Sequence, residues 1–180
     1  MSLGLKRGEV KLCKFDAEWI KLAQQTISRL WNIFGAAAKD IQHIGSTAVK
    51  HIMAKPIIDI AVGAECLEAA AEKFPLFKSA GIDKSLGQFL DDVILLSVDA
   101  PEKGRTHNIQ VVKFNSEQWN NHIALRDYLN AHTQKAREYE RLKTELAKQY
   151  PNDISAYTSG KDAFIKNCLA EAKAIRCGKG

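Results

Sequence analysis

The sequence has no long apolar run. A helix that crosses a bilayer needs about 18 or more consecutive apolar residues, so a helical membrane protein is excluded. Clustered cysteines are missing too. The 4 cysteines, Cys13, Cys66, Cys168 and Cys177, lie far apart, with no pair at the spacing of a metal site. No secretory signal precedes them, so they read as reduced thiols and imply a cytoplasmic protein. Neither the glycine-rich lysine motif of a P-loop nor a dinucleotide-binding glycine fingerprint occurs. No serine sits in a Gly-x-Ser-x-Gly elbow, and no Cys–His pair suggests a nucleophile and its base. Internal repeats and low-complexity segments are absent as well, which argues against solenoids and disordered tails.

What is present is an ordinary globular balance, 46% hydrophobic and 26% charged. A chain of this length buries roughly 70% of its unfolded surface and needs no disulfide staples. The formal net charge of +5 suits a phosphate-bearing ligand. It is too small and too evenly spread to point to nucleic acid.

The chain is organised around residues 41–62. Residues 41–44 form a short β-favouring run, Gly45-Ser46-Thr47 is a turn with free N–H groups and two hydroxyls, and 57–62 is apolar except for Asp59. A carboxylate in such a run is costly to bury alone. Asp59 is therefore paired, exposed at an edge, or holding a cation. A Gly-Ser turn at a strand end offers N–H groups and a hydroxyl to a phosphate. A carboxylate on the next strand can hold a divalent metal that bridges phosphate oxygens.

Around this stretch, 10–15 reads as a strand or extended lead-in and Asp16 as an N-cap. Ile20, Ala23, Ile27, Leu30, Trp31 and Phe34 recur at helical spacing, predicting a helix over 17–34 that Gly35 ends. Trp19 and Trp31 read as core or rim. Residues 65–73 read as a helix, which Pro75 breaks or restarts. Residues 89–98 and 107–114 are β-like and joined by a Pro- and Gly-bearing loop, which predicts a hairpin. From 116 onward helical periodicity takes over, with helices around 119–129, 136–150 and 154–169, and a frayed tail at 178–180. The fold class is α/β (α+β), a mixed β-sheet with flanking helices and a C-terminal helical half.

Several segments together resemble the GrpB family. They are His43-Ile-Gly-Ser-Thr-Ala-Val49, Ala54-Lys-Pro-Ile-Ile-Asp-Ile60, Thr106-His-Asn-Ile-Gln-Val-Val112, Leu125-Arg-Asp-Tyr-Leu129 and Tyr139-Glu-Arg-Leu-Lys-Thr-Glu-Leu-Ala147, with Tyr157, Lys161, Phe164 and Ile165. The resemblance covers 10–170. It implies a nucleotidyltransferase-like, DNA-polymerase-β-like fold in a single domain over 1–180, with a sheet-containing half at 1–114 and a helical half at 115–180. In that superfamily a Gly-Ser pair at a helix start contacts nucleotide phosphates, and Gly45 and Ser46 match it, with Thr47 beside them. Asp59 matches the first metal-binding acid and is the implied catalytic residue. Ala61 stands where the second acid belongs, and the strand at 107–114 supplies no third acid, with Asn108 and Gln110 facing the implied cleft. Relatives usually have His where Gln110 stands.

The resemblance thus implies at most a weakly held Mg²⁺ on Asp59, with Asp91, Asp92 and Asp99 as candidate second acids or solvent-facing hairpin residues. Lys55 is either a phosphate contact or a salt-bridge partner of Asp59. His43, His107, Arg126 and Lys161 are further cleft candidates. His51, His122 and His132 read as structural or exposed, while Tyr139, Lys143 and Tyr157 stand at family positions in the helical half, either reaching an anionic ligand or solvated on their helices. Two functions follow as expectations. One is nucleotidyl transfer from a nucleoside triphosphate to a small cytosolic acceptor. The other is a non-catalytic protein that binds a nucleotide or other phosphorylated metabolite after losing most metal-binding carboxylates. A third, weaker expectation is a protein-interaction module built on the helical half.

Overall fold

The computed structural model describes residues 3–85 and 92–177. Helix α1, Glu18–Phe34, leads into β1, Ala38–Ile44, then a 3₁₀ turn at Ser46–Ala48 and β2, Ile58–Ala64. Two short helices follow, α2 (Leu67–Ala71) and α3 (Phe74–Ser79), and then strands β3 (Asp83–Lys84), β4 (Val93–Ala100) and β5 (Gly104–Lys113). The remainder is helical: α4 (Glu117–Ala131), α5 (Thr133–Gln149), α6 (Ile154–Ser159) and α7 (Asp162–Cys177). The five strands form one mixed sheet in the order β1-β2-β5-β4-β3. Only β2 and β5 run parallel, while β1 with β2, β4 with β5 and β3 with β4 are antiparallel.

Strand alternation sends successive side chains of β2 to opposite faces. Ile58, Ile60 and Val62 point to one face, where the apolar stripe of α1 (Ala23, Ile27, Leu30, Phe34) covers them in the main core. Asp59 and Ala61 point to the other face, toward the C-terminal helices. Trp119 of α4 packs there with Ala61, Ile44 and Val112. Helices α4, α5 and α7 close a separate core through Leu129, Tyr139 and Cys168, and Val49 and Ile52 from the β1–β2 connection plug into it. The connection after Gly45-Ser46 is thereby clamped between sheet and helices.

Several sequence expectations change. The lead-in at 10–15 is not a strand. Cys13 makes one isolated bridge with Ala54, and the Val10 N–H goes to the Pro151 carbonyl, because its neighbours are loops and not a continuing strand. Asp16 accepts from the Glu18 N–H at 3.0 Å, but from one residue ahead of the N-cap position, which Ala17 occupies. The helix expected over 65–73 is the shorter α2, Leu67–Ala71, and of the two readings of Pro75 the restart holds: it stands in the first turn of α3, where its missing N–H is harmless. The hairpin strands run further toward their turn than the β-favouring residues do, closing at Ala100 opposite Gly104. Phe89 and Leu90, expected to begin that strand, lie outside the described residues, as does the tail at 178–180. The helix expected over 154–169 breaks at Gly160, where an added Cβ would lie 2.5 Å from Leu146 Cδ2. Trp19 is core at 1% exposure and Trp31 is rim at 38%.

Candidate functional site

A cavity of about 420 Å³ opens where the 3₁₀ turn, the Asp59 face of the sheet and helices α4 to α7 meet. Of the candidate residues read from sequence, Gly45, Ser46, Thr47, Lys55, Asp59, Gln110, Arg126 and Lys161 line it. So do Asn108, His122, Tyr139 and Tyr157.

Sheet register assembles its floor. Asp59 lies opposite Ile44 on β1 and Asn108 on β5, and Ala61 lies opposite Gln42 and Gln110. The Asn108 amide donates from Nδ2 to Asp59 Oδ1 at 2.9 Å. Its own Oδ1 accepts from Arg105 Nη1 at 3.2 Å. A carboxylate on one side and a guanidinium on the other fix which way the amide points. The second Asp59 oxygen faces Gly45, where an added Cβ would sit 2.5 Å from Oδ2. Gly45 also has φ +68°, a conformation that costs other residues about 1–2 kcal/mol. Backbone conformation and close approach thus both demand glycine. Gly45→Ala is expected to lower stability by about 2–3 kcal/mol, read as a reduced urea midpoint at unchanged m-value. An unchanged midpoint would refute this packing.

The cationic groups come from four places. Lys55 precedes β2, Arg126 lies on α4, Lys143 on α5, and Lys161 just before α7. The Lys55 and Lys161 ammonium groups lie 5.3 and 4.6 Å from the centre of the Tyr157 ring. Lys143 is 1% exposed, donates to the Met53 carbonyl at 2.5 Å, and lies 4.7 Å from the Tyr139 ring centre. Burial pushes the Asp59 carboxyl above its usual range, and the Asn108 hydrogen bond and the Lys55, Lys161 and Lys143 charges pull it only part of the way back. Burial also brings Lys161 down to about 8, helped by the Lys55 charge and opposed by Asp59 and Asp162. Lys143 falls to about 7 through burial and the Lys161 charge, against Glu140 and Asp59. Lys55 is lowered by burial, with Asp59 opposing.

Arg126 is braced. Its Nη1 donates to Gln42 Oε1 at 2.8 Å and to the His43 carbonyl at 3.0 Å, and its Nε pairs with Asp127 at 2.8 Å. It therefore anchors α4 to the end of β1 while lining the cavity. Ser46 shares a side-chain hydrogen bond with Tyr139, whose hydroxyl burial pushes up to about 12.

Two candidates fall elsewhere. His43 pairs with Ile60 and His107 with Ile58, so both project from the sheet face opposite Asp59. His107 Nε2 shares a hydrogen bond with Thr26 of α1 at 3.1 Å, and His43 Nε2 with Thr47 at 2.9 Å. Burial brings each down to about 4, so both are neutral near pH 7. A position one residue removed along a strand is enough to exchange faces.

The second acid does not appear among the described residues. Asp92 is exposed, Asp99 is bound by Arg7 and Arg105 at 2.9 and 3.0 Å, and Asp91 lies outside the described residues. Among the described residues, Asp59 is the only carboxylate that lines the cavity, and no cluster of three His, Cys, Asp or Glu suits a metal ion. Mg²⁺ needs near-octahedral oxygen ligands at about 2.0–2.1 Å. Here one carboxylate oxygen is engaged by an amide N–H, the other abuts Gly45, and the neighbouring charges are ammonium groups. That donor set does not fit a two-metal centre.

Sequence reasoning sets His122 aside and ranks Tyr139, Lys143 and Tyr157 below the other cleft candidates, yet Tyr139, Tyr157 and His122 line the cavity and Lys143 lies buried beside Tyr139. For Lys143 a signal exists. On α5 it shares the buried stripe with Ala136, Tyr139 and Leu146, so a lysine occupies a core position of an amphipathic helix.

The sequence profile described as "GrpB protein" matches residues 9–171. The glutamate-rich protein GrpB of Alkalihalophilus pseudofirmus is 42% identical over 173 residues, covering 94% of this chain and 99% of its own. The crystal structure of conserved protein GrpB from Enterococcus faecalis superposes with a TM-score of 0.81 at 30% identity, over 90% of this chain and 96% of that one. The Cid1 poly(U) polymerase in its MgGTP-bound crystal structure matches at a TM-score of 0.53 and 16% identity, over 75% of this chain and 44% of that one. At that identity the match speaks to the fold alone, which is nucleotidyltransferase-like. With a profile match across most of its length and close agreement in sequence and backbone with GrpB proteins, the chain belongs to the GrpB family.

Proposed function

We propose that this protein binds a small phosphorylated metabolite, such as a nucleotide, in the cavity at Gly45-Ser46. The observation that carries this reading is the charge of the described lining residues: Lys55, Arg126 and Lys161 against Asp59 alone. Gly45 and Ser46 present backbone N–H groups and a hydroxyl for phosphate oxygens. The ammonium groups neutralise its charge, and Tyr139 and Tyr157 give flat apolar surface beside it. Asp59 holds the turn and balances the lysines.

Nucleotidyl transfer is the second reading. It is favoured by one feature, the direct packing of Asp59 against Gly45, which places a carboxylate beside the phosphate-holding turn.

A thermal-shift panel of AMP, ADP, ATP and inorganic pyrophosphate, each with Mg²⁺ or with EDTA, separates them. Ligands that bind the folded state raise the melting temperature. At about 100 times Kd the stabilisation is about 2.7 kcal/mol, a rise of roughly 5–10 °C for a chain of this size. Phosphate-bearing compounds are expected to stabilise the protein in EDTA. Stabilisation confined to nucleoside triphosphate with Mg²⁺ would favour transfer. No shift with any of them would sink the binding reading.

A further inference from the structure

We infer that the ammonium cluster of this cavity takes the place of divalent metal, so that the site accepts a phosphate or diphosphate group without a metal ion. The inference rests on the reading that the cavity binds a phosphorylated ligand, and adds how that ligand's charge is met.

Phosphoryl-binding sites built on paired carboxylates use metal ions to convert acidic side chains into a positive surface. Here the order of charges is reversed. The position two residues after Asp59 is Ala61. The side chain opposite Asp59 on the neighbouring strand is Asn108, which directs its N–H groups, not its oxygen, at the carboxylate. Lys55 and Lys161 reach into the same cavity over the Tyr157 ring. Lys143 stands behind them as a third ammonium group, held by the Met53 carbonyl. A divalent ion placed on Asp59 would meet these charges and would find no second carboxylate among the described lining residues to offset them. A phosphate dianion meets the opposite situation. It offers oxygens to Lys55, Lys161 and the turn, and relieves the mutual repulsion of the lysines.

The lysines are built into the fold. Lys143 replaces an apolar residue on the buried stripe of α5. A buried ammonium group near other cations is unfavourable in the free protein unless an anion accompanies it. Asp59 is one such anion, with Glu140 acting on Lys143 and Asp162 on Lys161 from outside the cavity lining.

The test is isothermal titration with inorganic pyrophosphate, in EDTA and then in excess Mg²⁺, on the wild-type chain and on Lys161→Gln, Lys55→Gln and the double variant. Circular dichroism and melting temperature establish that each variant is folded. Lys161→Arg keeps the charge if Lys161→Gln fails to fold. Binding in EDTA is expected, with an affinity that Mg²⁺ does not raise. Each lysine-to-glutamine change is expected to weaken it about tenfold to hundredfold, the loss of one charge-assisted hydrogen bond. Lys161→Arg is expected to retain most of it. Binding that vanishes in EDTA and returns with Mg²⁺ overturns the inference while leaving the phosphate reading intact. Binding in EDTA that is indifferent to both lysines overturns it as well. Absence of binding under every condition overturns the phosphate reading and the inference together.

Discussion

The Asp59→Asn variant is expected to bind pyrophosphate about tenfold to hundredfold more tightly than the wild type in EDTA. The substitution is isosteric, and the new amide oxygen still accepts from Asn108 Nδ2, which lies 2.9 Å from Oδ1 in the native protein. What disappears is the one acidic side chain among the described lining residues. Two unit charges about 6 Å apart at an effective dielectric constant of about 20 interact by roughly 3 kcal/mol, and a bound phosphate would no longer feel that repulsion. Burial, which raises the Asp59 carboxyl, reduces the effect only if it leaves the group largely protonated. With Mg²⁺ in place of EDTA, a metal-centred site predicts the opposite sign, because the same change removes the only carboxylate among the described lining residues. Titration calorimetry on the two proteins decides between them, and weaker binding by the variant would exclude the cationic site.

The stability of the ligand-free protein is expected to rise by about 2 kcal/mol between about pH 7 and pH 9, through Lys143. Its pKa is lowered from 10.5 to about 7 by burial and by the Lys161 charge. In this interval the unfolded chain holds the Lys143 proton and the folded chain has released it. The unfolded state therefore binds more protons, and raising the pH favours folding. Lys161, lowered to about 8, acts in the same direction. Toward pH 10.5 the lysine contribution levels off, because the unfolded chain then loses its own lysine protons, and burial, which raises the Cys168 thiol and the Tyr139 hydroxyl, works in the other direction, since the unfolded chain loses those protons first. Urea midpoints measured across this range in Lys143→Met should show a clearly shallower rise than in the wild type. An identical slope would mean that Lys143 does not carry the effect.

The two expectations meet at one place. The lysines that raise stability when neutral are those that an anion would keep protonated, so added phosphate should flatten the same pH dependence.

How far the sequence could reach is clear from single residues. Asp59 is conspicuous because a carboxylate in an apolar strand needs a reason, and Gly45 because it opens a turn. Both properties are local, and both residues line the cavity. The face a strand residue takes depends on register. His43 and His107 stand at strand positions near the turn, yet their cross-strand partners, Ile60 and Ile58, send them to the α1 side. Lys143 shows the converse. Its helical spacing is visible, but a lysine on a helix reads as solvated until the neighbouring elements cover it.

By itself the sequence determined the mixed α/β architecture, the family, the Gly-Ser turn beside an acidic strand residue, and the missing second acid at Ala61. These depend on periodicity, turn chemistry and residue identity, which are written along the chain. Only the tertiary structure decided that Lys55, Lys143 and Lys161 converge on Asp59 and that the candidate histidines turn away. Those groups are more than 80 residues apart in sequence at Lys55 and Lys143, and their meeting is set by the packing of the C-terminal helices onto one face of the sheet. Proximity of that kind fixes the sign and strength of the electrostatics, so the same Gly-Ser turn and acid that suggested a metal site became, once folded, the floor of a cationic one.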